Sequence, residues 1–160
     1  MNMRLAICFL LSGLLLAPPV LKAADDDLAV VVNKTNPADN LTKAQLRKLI
    51  LGEQDSWPGG KKVAVILRAS GQPERVGVLR SICGMSEDEF EQHLLHANFN
   101  GETGGAPKAL GSGVAVRQLV ATLPGGIGFI RPEEVNDSVK VVTVDGVAAG
   151  QPGYKVKSGK

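Results

Sequence analysis

Val63-Ala64-Val65-Ile66-Leu67-Arg68-Ala69-Ser70-Gly71-Gln72-Pro73 decides the architecture of this chain. The apolar run places Val63, Val65 and Leu67 on one face of a strand and Ala64 and Ile66 on the other, because successive side chains of a strand alternate. Both faces are apolar, so both must be covered, as in a sheet with helices on either side. Arg68 ends the run, Ser70-Gly71 turns the chain, and Pro73 opens a helix at a position where its missing N–H is no loss. Val76, Leu79 and Ile82 face inward along that helix until Gly84 stops it.

Upstream, Leu28-Ala29-Val30-Val31-Val32 reads as a second strand buried on both faces, ended by Asn33-Lys34-Thr35-Asn36-Pro37. Thr42 and Gln45 form a capping box with Leu41 as its staple, and Leu46, Leu49 and Ile50 give helical spacing before Gly52. This predicts a first helix over about 42–51. Downstream, Ser86 and Glu89 make another capping box for a helix carrying Phe90, Leu94 and Leu95. The Gly-rich stretch from Asn98 to Gly113 reads as a loop, and the one around Asn100-Gly101-Glu102 as a flexible lid or linker. Val114, Val116, Leu119 and Val120 predict a fourth helix, broken at Pro124-Gly125-Gly126. Ile127 to Ile130 and Val139 to Val144 read as strands, Asp145-Gly146 as a hairpin-type turn, and Tyr154-Lys155-Val156 as a short segment that pairs or frays. Strands alternating with helices predict an α/β domain, a layered mixed β-sheet flanked by helices.

The N-terminus has a different character. Arg4 precedes an apolar run from Leu5 through Leu16, Pro18 and Pro19 follow, and Ala23-Ala24 leads into Asp25-Asp26-Asp27. That is the layout of a secretory signal peptide, and the run is too short to span a bilayer. The expected organisation is a signal peptide over 1–24 and one domain over 25–160, not membrane-spanning after cleavage and located in the periplasm or secreted. The chain has 18 Lys and Arg against 16 Asp and Glu, and losing Arg4 and Lys22 with the leader balances the two. A neutral domain argues against a nucleic-acid partner. Cys83 alone would remain after Cys8 is removed, so no internal disulfide is expected, and Cys83 reads as a small buried hydrophobe.

Three blocks in this order resemble the second lobe of the type 2 periplasmic binding proteins, and within them the phosphate-binding branch that serves bacterial ABC importers. They are Leu41-Thr42 through Leu51-Gly52-Glu53 to Trp57, then Val63 through Arg68 into the Ser70-Gly71 turn, then Val114 through Leu123-Pro124-Gly125-Gly126-Ile127-Gly128-Phe129-Ile130. The resemblance implies a single lobe of that fold. It also implies an anion site at the turn after the strand, with Arg68, Ser70, Gly71 and Gln72 as ligand-binding residues for a small oxyanion such as phosphate. A guanidinium fork and free backbone N–H groups suit such an anion. In the family the turn continues Ser, Gly, Thr, where this chain has Gln72, Pro73 and Glu74. Pro73 supplies no N–H, and Glu74 puts a carboxylate beside the donors the anion would need. The chain passes from its leader straight to the strand at Leu28, so a first lobe with its own anion turn is not expected.

Other candidates read as structural. Glu89, His93 and His96 lie at helical spacing that suits a metal, but helix-surface polar residues reach it readily, and no metal or cofactor is expected. Trp57 reads as a packing residue, and Arg117 and Arg131 as solvated charges. No nucleophile elbow, carboxylate pair or Cys-His pattern points to catalysis, so the chain is not expected to be an enzyme. The expected function is an exported solute-binding-like protein related to the phosphate-binding component of ABC importers, with weak binding of a small oxyanion. The alternative is an envelope protein-protein interaction module that kept the fold and lost the ligand.

Overall fold

The computed structural model describes residues 26–101 and 105–160. The predicted leader, 1–24, and part of the Gly-rich loop, 102–104, lie outside the described residues. Strand β1 is Ala29–Asn33 and β2 Asn40–Leu41, and Lys43–Ile50 forms α1 behind the predicted Thr42–Gln45 capping box. Strand β3 is Ala64–Arg68. Helix α2, Pro73–Val78, continues through a π-helical segment, Leu79–Cys83, to Gly84. Helix α3 is Glu87–Phe99, capped by Ser86 and Glu89 as expected. Strand β4, Lys108–Leu110, then helix α4, Gly113–Thr122, strand β5, Gly126–Ile130, and strand β6, Val139–Val144, complete the order.

The strands form one mixed sheet in the order β2-β6-β1-β5-β3-β4. Strand β1 is antiparallel to both β5 and β6, whereas β3 is parallel to β5 and to β4. Two elements differ from the sequence reading. The stretch from Asn98 to Gly113 contains β4, a three-residue edge strand whose residues Lys108 and Ala109 are exposed, so no apolar alternation marks it. Strand β2, two residues long, is fixed by its pairing with β6 rather than by its own pattern.

The alternation read from the sequence separates two apolar layers. Leu28, Val30, Val32, Val65, Leu67, Ile127 and Phe129 face α1, α2 and α3, where they meet Leu46, Ile50, Leu79 and Phe90. Ala29, Val31, Ile66 and Ile130 face the opposite side, under Val116 and Val120 of α4. The helix lies close to the sheet there because Gly128 has no side chain: a Cβ at that position would sit 2.7 Å from a Val116 methyl and 2.9 Å from one of Val120. Trp57 is buried, as expected of a packing residue, and its indole N–H donates to the Gly125 carbonyl at 3.0 Å. Among the described residues no helix is long and apolar enough to cross a membrane.

Candidate functional site

Parallel strands β3 and β5 end side by side, and each hands on to an arginine. Arg68 is the last residue of β3, and Arg131 follows directly on β5. Between them stands Glu74, from the first turn of α2, with its side chain only 5% exposed. Arg131 Nε donates to Glu74 Oε1 at 2.7 Å, and an Arg68 terminal nitrogen lies 3.4 Å from the same oxygen. Arg68 also donates to the Gln72 side-chain carbonyl and to the Gly111 backbone carbonyl, both at 3.1 Å. Arg131 is itself held by its backbone N–H, which donates to Glu134 at 3.0 Å.

Burial alone would push the Glu74 carboxyl up. It is outweighed by the hydrogen bond from Arg131, a bond from the residue's own backbone N–H and the charges of Arg68 and Arg131, which together hold Glu74 below the usual carboxylate range. The same contact raises Arg131. The two guanidinium groups gathered on this carboxylate are partners that a bound oxyanion would also take.

The neighbouring turn is arranged alike. Gly71, at φ +79, adopts a left-handed conformation that suits glycine. Its N–H donates at 2.8 Å to Glu87, in the first turn of α3, and the Ser70 hydroxyl donates to the same carboxylate at 3.1 Å. Arg75 completes the cluster with a 2.8 Å ion pair to Glu87 and stacks over the Phe90 ring. Ser70 and Gly71 are thus spent on Glu87 and do not cap α2. The N-cap is Gln72, and its side chain is spent on Arg68 instead.

The four residues expected at the anion site, Arg68, Ser70, Gly71 and Gln72, thus lie together at one end of the sheet, with Arg68 turned to Glu74, Gln72 bonded to Arg68, and Ser70 and Gly71 turned to Glu87. Sequence reasoning missed Arg131, which it took for a solvated charge. Arg117 likewise donates to the Glu134 backbone carbonyl. The available signal was that an arginine follows both buried strands, but the sequence does not show that those strands are neighbours. Elsewhere, Glu89 is used in the α3 capping box and His93 lies 3.2 Å from the Leu51 carbonyl. Among the described residues no three metal-ligating side chains converge.

No family model matches the sequence. Solved structures match most of the chain. An ABC-type phosphate transport receptor from Vibrio cholerae aligns with 81% of this chain and 49% of its own length, at 23% identity and a TM-score of 0.64. A protein from Clostridium perfringens, described as a phosphate ABC transporter substrate-binding protein and solved with bound phosphate, aligns over 81% and 48%, at 28% identity and a TM-score of 0.61. PstS from Borrelia burgdorferi aligns over 86% and 56%, at 16% identity and a TM-score of 0.65.

The chain has the phosphate-receptor fold, to the extent of a single lobe. It spans about half the length of the structures it matches. The resemblance read from the three sequence blocks is thereby matched in three dimensions, and the layered α/β architecture with it. Those structures are described as transport receptors and binding proteins rather than enzymes.

Proposed function

We propose that this chain is an extracytoplasmic relative of the phosphate-binding components of ABC importers whose oxyanion seat is filled by its own carboxylates. It then takes up free phosphate only weakly and acts in the envelope chiefly through contact with another protein. One observation carries the reading: Glu74 and Glu87 hold the arginines, hydroxyl and turn N–H that an external anion would need. An intramolecular carboxylate is present at far higher effective concentration than a dissolved anion, so it competes well even with modest contacts.

A second reading, weak capture of a small oxyanion by the same seat, is favoured by the convergence of two guanidinium groups, Arg68 and Arg131, on one oxygen. A thermal-shift series with phosphate, sulfate, molybdate and small carboxylates separates the two. A ligand at 100 times its Kd stabilises a protein by about 2.7 kcal/mol. The interaction reading predicts no anion-specific shift at low millimolar concentration. A clear shift with phosphate alone would favour capture.

A further inference from the structure

A second feature of the fold bears on how the seat stays closed. Residues 154–159 form a strap that runs from the start of the domain onto α2. Its anchor is Asp27, 2% exposed, which accepts the Gly150 N–H at 2.8 Å and pairs with the Lys157 ammonium. The Tyr154 hydroxyl donates to the Leu28 carbonyl at 2.7 Å, Leu28 N–H to the Val156 carbonyl at 3.0 Å, and Ser158 N–H to the Asp26 carbonyl at 2.6 Å. Gly159 N–H then donates at 2.6 Å to the carbonyl of Pro73, the first residue of α2 and the one before Glu74.

The strap presses on the helix backbone itself. A Cβ on Gly77 would lie 2.1 Å from the Lys157 carbonyl oxygen and 2.3 Å from the Gly159 nitrogen. No larger residue fits there without displacing the strap. The seat has reason to need outside support, because Glu74 Oε2 and Arg68 Nε are buried without hydrogen-bond partners among the described residues. Each such group opposes closure.

We infer that this strap latches the seat: by pinning the first turn of α2 it keeps Glu74 between Arg68 and Arg131, and its release frees both guanidinium groups for an external oxyanion. The inference rests on the reading of Glu74 as the seat's own anion. The apparent affinity of a site that is open only part of the time falls in proportion to the open fraction, so loosening the latch tightens binding without any change in the seat.

Hydrogen exchange on the wild-type protein and phosphate calorimetry on variants test the latch. In the wild type, the Ser158 and Gly159 amides and those of the α2 first turn exchange with a common opening free energy. Gly77→Ala, which lifts the strap, binds inorganic phosphate about tenfold more tightly than wild type. Asp27→Asn removes the charge from the strap's anchor without adding bulk and shifts binding in the same direction by less. Strap amides that exchange independently of α2 would overturn the latch. So would strap variants that bind phosphate as wild type does while Glu74→Thr binds it more tightly. If Glu74→Thr itself binds no better than wild type, the failure lies in the reading of Glu74 and not in the strap.

Discussion

Arg131 Nε donates to Glu74 Oε1 at 2.7 Å across 57 residues of sequence, closing the end of β5 onto the first turn of α2. Glu74 is almost wholly buried, whereas the Arg131 side chain is 41% exposed. Removing one partner of a buried pair leaves the other charge desolvated, at a cost of about 3 to 5 kcal/mol when both are buried. Solvent around Arg131 and the remaining Arg68 contact reduce that, so Arg131→Ala is expected to cost about 2 kcal/mol in urea unfolding. Adding Glu74→Gln to that variant should recover part of the loss, since the buried carboxylate is then neutral, and only part, because Arg68, its side chain 11% exposed, loses its anionic partner.

The same pair sets a pH dependence. Glu74 is held below its ordinary value in the folded protein, so its contribution to stability is present above the unfolded carboxyl value, about 4.3, and fades as pH falls through the lower folded value. At low pH the protonated side chain resembles glutamine. The difference in urea midpoint between wild type and Glu74→Gln should therefore be larger at pH 7 than at about pH 3. A constant difference would mean that Glu74 is not charged in the native seat.

Two glycines around β5 should respond differently to substitution. A Cβ at Gly128 meets valine methyls of α4, which can shift by rotation, whereas a Cβ at Gly125 would lie 1.7 Å from the Lys62 backbone carbonyl oxygen. Backbone yields less readily than side chains. Gly128→Ala is expected to cost about 1 to 3 kcal/mol, and Gly125→Ala more, because it also disturbs the carbonyl that Trp57 and Ala64 bond. Melting temperatures of the two variants give the order.

Cys83 should behave as a core residue. It is 2% exposed, and burial pushes its thiol up to about 11, with Arg47 only partly opposing. The thiolate is the reacting form. Alkylation at pH 8 should be negligible in the native protein and fast once denaturant unfolds it. Rapid native labelling would show that the α2 end opens locally.

Much of this fold was legible because its strands are apolar on both faces and its helices are capped by local signals. Thr42 with Gln45 and Ser86 with Glu89 needed only four residues each to reveal a helix start. Strand β4 and the partnership of Arg131 with Glu74 were not legible, for the same reason. Each depends on which strand lies beside which, and strand order follows from the packing of the whole sheet rather than from any local pattern. Glu74 was visible as a departure at the anion turn, but its burial and two arginine partners appear only once β3 and β5 stand together.

Calorimetric titration of inorganic phosphate into wild type, Glu74→Thr and Arg68→Ala tests most directly whether the chain's own carboxylate fills the oxyanion seat. The wild type is expected to bind no more tightly than about millimolar, which corresponds to roughly 4 kcal/mol. Glu74→Thr removes the competing charge and supplies a hydroxyl, and should bind at least about tenfold more tightly, or about 1.4 kcal/mol. Arg68→Ala should abolish what binding there is. Micromolar binding by the wild type, left unchanged by Glu74→Thr, would contradict the account.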